Sequence, residues 1–140
     1  MFFEGAPRRL RAGVTIPGVH AGDPKRLCVE AYPGILARQL IGRRPYKQDD
    51  PKKQSYAHKQ ARPALLTAVV DGAVRPAYGL EVTAPVSLAD DPTGDTLDAL
   101  LCAIQAAWAW TQREDGYGQP AAPTVIDPLE GWIADPHARD

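Results

Sequence analysis

The chain has 140 residues, enough for one ordinary domain and too few for two. Its 44% apolar and 24% charged residues are the balance of a globular chain, and no run approaches the roughly 18 apolar residues of a membrane span. Net charge is −1 but its sign is uneven: residues 1–70 carry 13 Lys and Arg against 5 Asp and Glu, and residues 71–140 carry 3 against 12.

That polarity is what a cationic binding face beside an acidic metal site would show, and equally what two solvated faces of one domain would show. The N-terminus, Met1-Phe2-Phe3-Glu4-Gly5-Ala6-Pro7-Arg8-Arg9, lacks the basic-then-apolar order of a secretory signal, so a cytoplasmic protein without membrane contact is expected. Cys28 and Cys102 each sit in an apolar run outside any CxxC pair and read as buried, reduced thiols.

Residues 1–24 hold Pro7, Gly13, Pro17, Gly18, Gly22 and Pro24 and predict an irregular surface segment. Lys25–Ala31 reads as a strand, and its apolar run Leu27-Cys28-Val29 suits an inner strand covered on both sides. Pro33 fits the first turn of a helix continued by Ile35, Leu36, Leu40 and Ile41 and stopped by Gly42. Glu30 and Tyr32 then lie at the C-terminal end of the strand, the edge where open α/β sheets build sites.

Arg43–Arg62 is basic, with Arg43, Arg44, Lys47, Lys52, Lys53, Lys59 and Arg62 against Asp49 and Asp50. It could hold a nucleic-acid backbone or be a basic solvated face. A helix is predicted from near Pro51 to about Val70, kinked or restarted at Pro63. Tyr78–Thr83 is a weak strand candidate, and Ala84–Gly94 is turn-forming. Asp95–Gln112 predicts a helix apolar nearly all round, hence a core helix. Its polar exceptions, Asp98, Gln105 and Gln112, recur every seven residues on nearly one face, with Asp95 one turn before Asp98. Gly116–Pro123 reads as a loop and Thr124–Ile133 as holding a short last strand, with residues 135–140 fraying.

An Asp at a helix N-terminus caps free N–H groups, which accounts for Asp95. It accounts less well for Asp98, a turn inside a helix that looks buried, where an ionised carboxylate is costly unless paired or cation-bound. Two acids at i and i+3 also repel, and a divalent cation such as Mg²⁺ or Mn²⁺ removes that cost. Glu30 adds a third carboxylate, in an arrangement that two-metal phosphoryl hydrolysis needs, or else pairs with a nearby Lys or Arg. His20, His58 and His137 are scattered, and no P-loop, dinucleotide fingerprint or GxSxG occurs.

Glu30-Ala31-Tyr32-Pro33, then Lys47 and Arg62, then Asp95-Thr96-Leu97-Asp98-Ala99-Leu100 and Glu130-Gly131-Trp132-Ile133, in this order, resemble the domain of unknown function 429 family of predicted RNase H-like nucleases. The Asp95–Leu100 segment also resembles the last acidic helix of RuvC-type junction resolvases. The resemblance covers roughly residues 25–134. It implies an α/β fold, a mixed sheet flanked by helices, and a metal-dependent phosphodiesterase site. Glu30, Asp95 and Asp98 would be its catalytic residues and Mg²⁺ or Mn²⁺ ligands. Lys47, Lys52, Lys53 and Arg62 would contact nucleic-acid phosphate.

RNase H-like enzymes also place an aspartate on a first strand within an N-terminal meander, and no such strand precedes Glu30 here. The expectation is a partial RNase H-like domain, its C-terminal portion at residues 25–134, with the meander missing. A non-catalytic binding or interaction module is the alternative. The sheet edge left open would then be covered by a second copy or another partner.

Overall fold

The computed structural model describes residues 2–121, 126 and 131–138, and the fold they form is mixed α/β with helix predominant. In chain order the elements are α1 (Phe2–Arg11), β1 (Val14–Thr15), β2 (Asp23–Leu27), α2 (Pro33–Ile41), α3 (Tyr56–Val70), α4 (Arg75–Tyr78) and α5 (Asp95–Thr111). Short 3₁₀ turns cover Pro51–Lys53, Val86–Ala89 and Arg113–Gly118.

The core is helical. Leu36, Ala37 and Ile41 of α2 meet Ala61, Leu65, Leu66 and Val69 of α3 and Leu97, Leu101, Ile104, Trp108 and Ala109 of α5. Leu65 and Leu101 are 0% exposed, so truncating either would cost on the order of 2–5 kcal/mol. Val74 and Tyr78 of α4 close one end, with the Tyr78 ring edge-on to Trp108 at 6.4 Å.

The α2 prediction agrees with the structure: Pro33 opens it, and Gly42 ends it with its N–H on the Arg38 carbonyl at 2.9 Å. The α5 prediction agrees as well, but α5 is buried on one side only. Ala99, Ala103, Ala106 and Ala107 are exposed, small residues with little surface to bury, and Trp110 is 56% exposed.

Several expectations are corrected. Residues 2–11 form α1 where an irregular segment was expected: the helix runs through Pro7, the remaining breakers fall in 13–24, and Arg8, Arg9 and Arg11 complement the negative end of the helix dipole. The strand is not inner. β2 starts two residues and ends four residues earlier than predicted and is mostly exposed, because Asp23, Lys25 and Arg26 are charged and Pro24 lacks a ladder donor. It pairs parallel with β1 in a two-stranded sheet, so the flanked mixed sheet is not what is observed.

The predicted helix from Pro51 to Val70 divides into a 3₁₀ turn and α3. Ser55 caps α3, its hydroxyl accepting from the His58 N–H while the His58 imidazole takes the Ser55 N–H at 3.1 Å. The helix runs through Pro63. Residues 79–83 form no strand, since Gly79 turns left-handed to end α4 and no neighbouring strand offers a ladder. The predicted loop from Gly116 starts inside the 3₁₀ stretch Arg113–Gly118. Most of Thr124–Ile133, including Glu130, lies outside the described residues, but Ile133 forms a parallel bridge with Glu30. Of the tail expected to fray, Asp135 is 0% exposed and residues 136–138 are half-buried, while residues 139 and 140 lie outside the described residues.

Candidate functional site

The acidic end of α5 is built by the turn before it. Asp91 accepts from the Thr93 hydroxyl at 2.7 Å, the Thr93 N–H at 3.0 Å and the Thr96 N–H at 3.1 Å. These bonds, Thr93's foremost, hold its carboxyl down at about 2. Asp91 thus does the capping expected of Asp95, which is instead the first helical residue, after Gly94. Gly94 has φ +77°, and a Cβ there would stand 2.7 Å from the Cβ of Lys47. Only glycine combines that backbone with so close an approach.

The approach brings Lys47 onto Asp98. The Asp98 carboxylate accepts from the Lys47 ammonium and from the Tyr46 hydroxyl. The Lys47 side chain is 46% exposed and that of Asp98 18% exposed. The bond to Asp98 raises the Lys47 pKa against the opposing effect of burial, and the charges of Asp98, Asp95 and Asp49 add to it. Burial, then Asp98, pushes the Tyr46 hydroxyl well above its ordinary range. One turn on, burial and then Asp98 raise the Cys102 thiol, with Lys47 opposing. Cys28 and Cys102 are free thiols, half-buried rather than fully so.

The structure therefore brings Asp95, Asp98 and Lys47 together. Glu30 stands apart from them at the Ile133 bridge, its carbonyl accepting from Ala134 N–H at 2.7 Å and its exposed side chain bordering a depression of about 370 Å³ beside Trp132. Among the described residues no three His, Cys, Asp or Glu side chains form a group able to hold a metal ion.

The four cations differ. Lys52 and Lys53 are exposed on the 3₁₀ turn that Asp50 caps, with the Lys53 ammonium 3.8 Å from the Asp50 carboxylate. Arg62 is 6% exposed, and its guanidinium donates to the carbonyls of Ala89 at 3.2 Å, Tyr46 at 3.3 Å and Pro92 at 3.5 Å. It ties three connections together from inside the fold, so it is not free to meet a phosphate. A second basic group lies beside Tyr46: Arg38, Arg43 and Arg44, with Gly34, line a depression of about 450 Å³.

No protein-family model, curated protein or solved structure matches this chain. No helix among the described residues is long and apolar enough to cross a membrane.

The residue that sequence reasoning missed is Asp135. It is 0% exposed, and its carboxylate accepts from the Tyr78 hydroxyl at 2.6 Å, the Gln105 amide and the His137 N–H at 2.8 Å. Burial, then Asp135, raises the Tyr78 hydroxyl. The polar stripe of α5 was half of the signal. Gln105 is 0% exposed, and its amide donates to the Tyr32 carbonyl at 3.1 Å as well as to Asp135. That amide joins α5 to the chain just before α2 and to the C-terminal segment. Nothing in the chain around Asp135 marks it as the partner.

Proposed function

We propose that this chain acts on a nucleic-acid backbone as a metal-dependent phosphodiesterase of the RNase H-like class, the activity its resemblance to the domain of unknown function 429 family implies. The observation that carries the reading is the meeting of Lys47, from the basic connection, with the acidic end of α5 at Asp98. Phosphodiester hydrolysis needs cationic groups to seat phosphate beside carboxylates that can bring in a metal.

The donor chemistry fits a hard divalent cation. Asp95 and Asp98 share one helix face, and Lys47 already supplies them with positive charge. Mg²⁺ is commonly held by one or two carboxylates, with substrate phosphate and water completing its shell. Bound Mg²⁺ or Mn²⁺ would polarise phosphoryl oxygen and activate water. Asp95 and Asp98 would hold it; Glu30, expected as a third ligand, stands apart at the Ile133 bridge and is not part of this group. Lys47 would pass from Asp98 to a substrate phosphate as the cation arrives. Tyr46, bonded to the other Asp98 oxygen, orients the carboxylate.

The test is cleavage of labelled DNA and RNA with Mg²⁺ or Mn²⁺. Asp98→Asn is expected to abolish it and to leave thermal stability within about 1 kcal/mol, since the ion pair it weakens is partly solvated. A second reading, a binding module without catalysis, is favoured by the fact that both Asp98 oxygens already have partners. It predicts nucleic-acid binding with no metal-dependent cleavage.

A further inference from the structure

We propose that the depression along α2 is a binding site for single-stranded nucleic acid, with Arg38, Arg43 and Arg44 seating phosphates and Tyr32 stacking a base. This rests on the nucleic-acid reading above and adds the form of the ligand and the residues that meet it. The three arginines and Gly34 line one depression of about 450 Å³. Arg44 is partly engaged, its Nε donating to the Ile41 carbonyl at 2.9 Å and closing the end of α2. Arg38 and Arg43 are exposed and form no ion pair among the described residues. Arginines near a helix C-terminus are favourable in themselves. That favours each one singly, but it does not gather three guanidinium groups around a hollow with no carboxylate lining it.

Tyr32 supplies the second half. It is 56% exposed and stands just before α2. Its ring lies against Gly34: a Cβ on Gly34 would be 3.3 Å from the Tyr32 Cζ. Gly34 lines the depression, so the ring lies next to one of its lining residues without lining it itself. An exposed aromatic beside unpaired guanidinium groups is the pattern that holds unpaired bases and their phosphates without reading sequence.

The site also leads toward the acidic end of α5. Tyr46 lines the same depression and donates its hydroxyl to Asp98. A strand seated on Arg43 and Arg44 is thereby directed along Tyr46 to Lys47 and Asp98. A duplex keeps its bases stacked inside and offers Tyr32 nothing to stack on.

The experiment is fluorescence anisotropy of the full chain with a labelled oligo-dT and with a duplex of equal length, in EDTA, across a salt series. The wild type should bind the single strand more tightly than the duplex. Arg38→Gln with Arg43→Gln should lower the slope of log affinity against log salt by about 1.4, two phosphate contacts at about 0.7 each. Tyr32→Ala should weaken single-strand binding about tenfold and Tyr32→Phe should not. Circular dichroism melts on each variant confirm folding, and Arg43→Gln alone, with a drop of about 0.7, repeats the reading if the double variant is unstable. No binding by the folded wild type, an unchanged slope in the arginine variants, or equal affinity for duplex and single strand overturns the proposal. No divalent cation is present, so a failure of cleavage would count against the hydrolytic reading and leave this result standing.

Discussion

Asp98 and Asp135 are both carboxylates that lean on α5, and they are held in opposite ways. Asp98 is at the solvent-facing end of the helix and is met by an ammonium that is itself half exposed and by the Tyr46 hydroxyl. Asp135 is 0% exposed and is met by a hydroxyl, an amide and a main-chain N–H, with no cation. The first arrangement is weak and exchangeable, since a partly solvated ion pair is worth little and either partner can find a new one. The second is fixed, since without Asp135 the buried Tyr78 hydroxyl would have no acceptor and the Gln105 amide would keep only the Tyr32 carbonyl. The difference separates a carboxylate available for chemistry from one that holds the fold.

The largest effect expected from this contrast is at Asp135. Asp135→Ala leaves the Tyr78 hydroxyl without its partner, takes one of two acceptors from the Gln105 amide, and should lower stability by about 3 kcal/mol in urea unfolding. A loss near that for Asp98→Ala, expected at about 1–2 kcal/mol because it also leaves the Tyr46 hydroxyl without its acceptor, would erase the distinction. Arg62 belongs with Asp135. Arg62→Met strips donors from the Ala89, Tyr46 and Pro92 carbonyls and should cost about 2 kcal/mol, with no change in the salt dependence of oligonucleotide binding.

Alkaline pH reports on both carboxylates through their tyrosines. Tyr46 and Tyr78 are raised above the unfolded value of about 10. Their contribution is therefore fully present below pH about 10 and is lost as pH rises above it, at about 1.4 kcal/mol per pH unit for each group. Tyr78→Phe should flatten that fall, as measured by urea unfolding from about pH 9 to 11. Lys47→Met should cost less than about 1 kcal/mol, because the pair is solvated, while altering any Mg²⁺ dependence. The smallest effect is at low pH. With its carboxyl held at about 2, Asp91 contributes stability above pH about 4 that is lost as pH falls toward 2. An acid titration of Asp91→Asn should lack that step.

Legibility in the sequence followed locality. α2 and α5 were readable because each carries its own signals: Pro33 and Gly42 for α2, and the apolar period from Leu97 to Trp108 for α5. Ser55 as the start of α3 was hidden because its partner is a histidine, not the usual Glu or Gln. β2 was misplaced because Leu27-Cys28-Val29 looks like a ladder segment, yet a strand needs neighbours that local sequence cannot supply. At the site, i and i+3 spacing placed Asp95 and Asp98 on one face. It could not show Lys47 arriving from a residue 51 positions away, an approach that depends on Gly94. Arg62 looked like one more cation of a basic run, because burial of a charge is a tertiary fact. Arg38 was passed over because it sits inside α2, one turn before the run it joins in space.

The most direct measurement is cleavage of end-labelled DNA and RNA by the wild type and by Asp98→Asn, with Mg²⁺ or Mn²⁺ and with EDTA. Metal-dependent cleavage is expected of the wild type and should disappear in Asp98→Asn while the unfolding midpoint of that variant stays near that of the wild type. A folded wild type that cuts neither nucleic acid with either metal, or an Asp98→Asn variant that cuts as well as the wild type, would contradict it.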